Sequence, residues 1–266
     1  VSEKTLITSI DKAYDLYFQM LALPAEMVRY AETRVELNRN KQLPTHEDLN
    51  PNTKFIDNAV IRVLANSDSI NDYVTSHRLG WAKHPDLIRT LYAQLIESDY
   101  FKKYMSAEER SFNEDRKMVE DFYGTLQDNE ALDTVLEELS ILWDNDLGFT
   151  LAMVLRTLSN LRALHTDVKI MPKFKSDDDL SFVKTLFEKT LINFSADQHY
   201  IDKFTSNWDV ERIVFMDHLI LSTAMTELTN FPSIPVKVTL DEFIEISKYY
   251  STPGRTSPPP RRRLRA

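Results

Sequence analysis

Asp217 is an acid on an otherwise apolar helical stripe. Across 208–230, Ile213, Ile220, Ala224, Glu227 and Leu228 recur near one direction, at about 100° per residue. Asp217 lies roughly 40° from Ile213 on the same wheel. One turn away from it stand Ile213, Val214, Ile220 and Leu221, and no Lys or Arg lies three or four residues off. No ion pair within the helix can therefore satisfy it. A carboxylate in such a place must find donors or protonate. Two sources of donors are open: another helix or loop of this chain, or a partner protein meeting Asp217 at a seam. Asp209 and Glu211 add acids just upstream, where first-turn capping accounts for them and a partner-facing acidic patch is the alternative.

Other residues that could do chemistry are weaker. The six His (46, 77, 84, 165, 199, 218) include no His-x-x-x-His pair, so a zinc site is not expected. His218 follows Asp217 but points about 100° away, so the two are not a poised acid–base pair. Asp177, Asp178 and Asp179 lack the further oxygen ligands that a calcium loop needs. Asp241, Glu242 and Glu245 sit at a helix start, where acids are common. Neither a Gly-Lys-Thr phosphate loop nor a Gly-x-Ser-x-Gly turn occurs. Neither catalysis nor a cofactor is expected. For RNA, the useful set is Lys237, Lys248, Tyr249 and Tyr250: Lys neutralises phosphates and Tyr stacks on unpaired bases. Core packing of one Tyr and a helix-end role for the other explain that pair as well.

These residues need helices to position them. Of the 266 residues 42% are apolar, which supports a core, and only 4 are Gly, which argues against an all-β chain. There is no Cys, so disulfides and thiolate chemistry are excluded. No apolar run reaches the roughly 18 residues of a membrane span, and no secretory signal is visible; a cytoplasmic protein is expected. Net charge is −9, yet Arg255, Arg261, Arg262, Arg263 and Arg265 crowd into the last stretch without an acid. The remaining body is thus more acidic than the total states, and repels a phosphate backbone unless a local patch or partner intervenes.

The period of three and four predicts a helix over 3–39, which Pro24 should kink or break. Residues 40–53 read as a loop. Phe55 to Leu64, a polar piece over 66–75 and a helix opened by Pro85 follow. Ser106 with Glu109 forms a capping box that should open a helix ending near Gly124. Further helices are expected from Asn129 to Trp143, from a cap at Asp146 or Asn145 to Leu164, from Ser176 onward, over 208–230 and over 238–250. The stretch 251–266 has four Pro and one large apolar residue, and is expected to be disordered. The domains read as a helical region 1–125, a helical bundle 126–250 and the tail.

Trp208-Asp209-Val-Glu211-Arg212-Ile, then Met216-Asp217-x-x-Ile220-Leu221-x-x-Ala224-x-x-Glu227-Leu228, resembles the penultimate core helix of the NusB family of transcription antitermination proteins. Ile234-Pro235-Val-Lys237-Val238 followed by Asp241-Glu242-x-Ile244-Glu245-Ile-Ser-Lys248-Tyr249-Tyr250 resembles its connector and last long helix. The resemblance is strong over 208–250, weaker over 176–207 and faint before that. It implies an all-α fold of two small bundles, with an extended helical N-terminal region here. The implied role is non-enzymatic: binding the boxA segment of ribosomal RNA leader transcripts with a small ribosomal protein, NusE, so that RNA polymerase reads through terminators. The acids at Glu211 and Asp217 match family positions that face the ribosomal protein. The family opens with an Arg-rich segment and an RNA-contacting helix, and closes with a helix bearing Phe and Asn-Gly. Here Val1-Ser-Glu-Lys and a Pro/Arg stretch after Gly254 stand instead, so a shortened start and a non-native tail are expected. The alternatives are a helical protein-interaction module with no RNA role and, less favoured, an RNA methyltransferase, which would need a Gly-rich nucleotide-binding half.

Overall fold

The computed structural model describes residues 2–143, 146–204 and 215–251, without the side chains of 202 and 204. Twelve α-helices and a short 3-10 turn make up the described residues, which contain no strand. The all-α expectation holds. The helices are α1 (Ser2–Arg39), α2 (His46–Leu49), α3 (Ala59–Ala65), α4 (Asp68–Ser76), α5 (Pro85–Glu97), α6 (Asp99–Ser106), α7 (Phe112–Gly124), α8 (Glu130–Leu139), α9 (Leu147–Asn160), α10 (Asp177–Phe204), α11 (Phe215–Asn230) and α12 (Val236–Tyr250). No helix among the described residues is long and apolar enough to cross a membrane.

The chain divides into two compact units: Ser9–Met171, and Val1–Thr8 with Pro172–Ala266. The division expected after residue 125 instead falls within the larger unit. There α8 packs on α5 and α9 on α7, so these two helices complete the first core. The whole core cluster lies between Leu16 and Val168. Its centre is the middle of α1, where Leu16, Tyr17, Met20, Leu21 and Leu23 are fully buried.

α1 does not break at Pro24. It continues to Arg39 with Pro24 buried inside it. Proline has no N–H to give the carbonyl four residues back, which is Met20. That carbonyl instead accepts the hydroxyl of buried Tyr123 on α7, at 2.7 Å. One residue earlier, the Gln19 carbonyl accepts the indole N–H of Trp81 at 2.8 Å. The helix survives because side chains from elsewhere replace the lost backbone partner.

The expected cap at Ser106 is also displaced. Ser106 ends α6, and Ser111 caps α7 by accepting the Glu114 N–H at 3.3 Å. The segment between is pinned by buried Lys54, whose ammonium donates to the carbonyls of Ala107 (2.8 Å) and Glu109 (2.7 Å) and sits 4.6 Å over the Tyr104 ring. Ser111 also stands three residues before an acid, so two overlapping cap patterns were present and the tertiary lock selects the second.

Elsewhere the local rules hold. Asn58, Ser67 and Asn129 cap α3, α4 and α8 through their side chains, and Pro85 opens α5 at its first turn.

Candidate functional site

The candidate residues fall in the smaller unit, whose described helices are α10, α11, α12 and the first turns of α1. Lys184 of α10 pairs with Glu3 of α1 at 2.5 Å. α10 and α11 run antiparallel: Phe182 meets Phe231 edge to face at 4.9 Å, Lys189 donates to Asn230 at 2.9 Å, and Thr226 donates to Asp197 at 3.2 Å. α12 returns along α11 after a Pro-containing connector, and the Thr239 hydroxyl donates to Glu227 at 2.7 Å.

The face that α11 buries is polar. Ser222, Thr226 and Glu227 are its buried residues, matched by Thr190 and Asp197 on α10 and Thr239 on α12. Ser222 is wholly buried, and among the described residues its hydroxyl has no hydrogen-bond partner; Nδ1 of His218, one turn before it, is likewise buried and meets none among them. Among the described residues of this unit, Ile201 is the one buried apolar side chain. The sequence signal for this seam is Ser222, Thr226 and Asn230 at i, i+4 and i+8, which the apolar period of the same helix overshadows.

Asp217 stands in the first described turn of α11 and is half-buried. Ser222 and Thr226 point about 140–180° away from it at helical spacing. Asp217 shares its direction with Ala224, Leu221 and Leu228, and Leu221 is exposed. The described members of the expected stripe divide: Glu227 is buried, and Ile220, Ala224 and Leu228 are half-buried beside Asp217. No hydrogen bond or ion pair reaches Asp217 among the described residues. Asp209 and Glu211 lie outside the described residues.

On α12, Lys237 and Lys248 are exposed and lie within about 20° of one direction, roughly 16 Å apart along the axis. Asp241 sits between them on the same side. Lys248 is ion-paired with Glu245 one turn back. Tyr249 points about 100° from Lys248 and is half-buried. The helix thus brings the two lysines onto one face, and Tyr249 falls on another.

α11 and α12 thus form a short helical hairpin with an Ile-Pro-Val connector, a half-buried Asp217 on one helix and two exposed lysines on the next. Residues 160–257 match the model of the NusB family. Three curated relatives, each described as "Transcription antitermination protein NusB", align with the chain. The one from Salinibacter ruber is 39% identical over 92 residues, 35% of this chain and 57% of the relative. Those from Natranaerobius thermophilus (32% over 75 residues, 28% and 54%) and Thermodesulfovibrio yellowstonii (33% over 78 residues, 29% and 52%) follow. The chain spans about half the length of the curated relatives it matches. No solved structure matches it.

Proposed function

We propose that the chain acts in transcription antitermination as a non-enzymatic, cytoplasmic adaptor that works with RNA polymerase. It would bind boxA-type leader RNA together with the ribosomal protein NusE. The observation that carries this reading is the NusB-family match over 160–257. A half-buried acid on α11 that meets no hydrogen bond or ion pair among the described residues supports a protein partner there: Asp217, with Glu211 and Asp209 upstream, would take donors from NusE. Lys237 and Lys248 would meet phosphates, and Tyr249 is assigned to base stacking. The body's acidity fits an adaptor whose RNA affinity depends on its protein partner.

The test is a binding titration of boxA RNA and of a scrambled RNA, with and without NusE, at two salt concentrations. The reading expects boxA preference that appears with NusE and weakens as salt rises. Equal affinity for both RNAs under every condition would favour a helical interaction module without an RNA role. Asp217→Lys should abolish NusE binding while circular dichroism stays helical, because the substitution places a cation where the partner's donors converge. A variant that binds NusE as the parent does would remove Asp217 from the interface.

A further inference from the structure

Three aromatic rings stand in one column on the larger unit. The Tyr73 ring lies 3.8 Å from that of buried Phe18 and 3.8 Å from that of His77, tilted by only 9° and 7°. Two rings parallel to a third at one distance must occupy its opposite faces, so the order is Phe18, Tyr73, His77. Tyr73 is fixed by its hydroxyl, which donates to buried Asp15 at 3.0 Å. His77 is fixed as well: its Nδ1 lies 3.0 Å from the Tyr73 carbonyl, which can only accept, so that nitrogen carries the hydrogen. His77 is exposed, and no further ring stacks on it among the described residues. Tyr73 covers its inner face, so the column ends in a held aromatic face turned to water.

The next residue adds a charge. His77 caps the C-terminal end of α4, and Arg78 and Leu79 close that end by donating their N–H groups to the carbonyls of Thr75 (3.2 Å) and Val74 (2.9 Å). This closure puts residue 78 in the left-handed region, at φ 56°, where glycine is the usual occupant because a Cβ is strained there. Among the described residues Arg78 is the one non-glycine with positive φ, and its exposed guanidinium makes no hydrogen bond or ion pair with them. The helix dipole favours a cation in this turn, but an arginine a few residues earlier would serve it without strain.

We propose that His77 and Arg78 receive one unpaired nucleotide of single-stranded RNA, the base stacking on the outer face of His77 and its phosphate pairing with Arg78. A flat face beside an unpaired cation suits a ligand with a ring and a negative charge a few bonds apart. No unmodified side chain has both, and a nucleotide does. Stacking needs no positive charge on the protein, so it operates on a body as acidic as this one. The platform has no walls, so a free mononucleotide gains one ring contact and one ion pair only, whereas a strand anchored at further points is held. The site lies outside residues 160–257, which match the NusB family, and in the other unit from Lys237, Lys248 and Tyr249. It rests on the reading that the chain handles RNA, yet requires neither the boxA sequence nor NusE.

Fluorescence titration of the full chain with a labelled oligoadenylate, with AMP as competitor and at two salt concentrations, tests this. The oligonucleotide should bind, and AMP at comparable concentration should not displace it. His77→Ala should weaken binding about fivefold or more, and His77→Tyr should retain it. Arg78→Gly should weaken it too, and lower the slope of log affinity against log salt by roughly 0.7. The same variant removes the strained Cβ, so its melting midpoint should stay at or above the parent's, which separates a lost contact from a lost fold. Absence of oligonucleotide binding at low salt overturns the proposal, as does binding that neither His77→Ala nor Arg78→Gly weakens. Loss of NusE binding in His77→Ala with oligonucleotide affinity unchanged would overturn it in favour of a protein on the platform. Oligonucleotide binding that depends on His77 without any boxA preference would uphold this site and sink the boxA reading; boxA binding with NusE that ignores both substitutions would do the reverse.

Discussion

At the residue scale, the informative polar groups are those whose partners come from far along the chain. Asp167 is one. Its carboxylate accepts the hydroxyl of buried Ser67, which caps α4, together with the Ser69 hydroxyl (3.2 Å) and the Val168 N–H (2.7 Å). The Ser67 hydroxyl, more than the others, holds this carboxyl below the usual aspartate range. A lowered carboxylate contributes stability that is fully present above its unfolded value, about 3.9, and is lost as pH falls through the lower folded value. Asp167→Asn should therefore be less stable than the parent at neutral pH, and the gap should close in acid. Urea midpoints of the two proteins across pH 2–7 would check this; a gap independent of pH would mean that the ionised form plays no part.

At the scale of elements, α1 teaches the most. Its apolar period was plain in Leu6, Ile10, Ala13, Tyr14, Tyr17, Met20 and Leu21, and so was the breaker. What a local reading could not supply was Tyr123, 103 residues from the carbonyl that Pro24 orphans. Tyr123→Phe should destabilise the larger unit by about 1–3 kcal/mol, because the Met20 carbonyl is left buried without a donor. Pro24→Ala restores a backbone N–H to that carbonyl, so the double variant should recover part of the loss. Thermal melts of the two singles and the double form the cycle, and strict additivity would show that the hydroxyl is not replacing the proline's missing donor. The same contrast explains the caps. Asn129 and Pro85 were legible because their rules are local, whereas Ser106 lost to Ser111 through the buried Lys54, which no spacing reveals. In the candidate site, the helices now seen as α11 and α12 followed from pattern. The polar seam did not, because Leu, Ile and Met so dominate α11 that Ser222 and Thr226 read as filler.

For the whole molecule, the two units rest on different physics. Ser9–Met171 removes a large apolar surface from water, the main favourable contribution to a fold. In the smaller unit the fully buried contacts between α10, α11 and α12 are mostly hydroxyls and carboxylates, each worth little net once water is counted, and its apolar side chains such as Phe182 and Phe231 are half-buried. Native-state hydrogen exchange should therefore protect the amides of α3, α7 and α9 more strongly than those of α11 and α12, by several kcal/mol of opening free energy. Equal protection in both units would show that the seam is as stabilising as the core.

The seam has a calorimetric corollary. Heat capacity rises on unfolding with newly wetted hydrocarbon and falls with newly wetted polar groups. Disassembly of α10, α11 and α12 wets the buried hydroxyls and carboxylates together with half-buried side chains such as Phe182 and Phe231, so this unit's melting enthalpy should change less with temperature than that of Ser9–Met171. Its stability curve would then bend less, while Ser9–Met171 follows the domed curve of an oily interior.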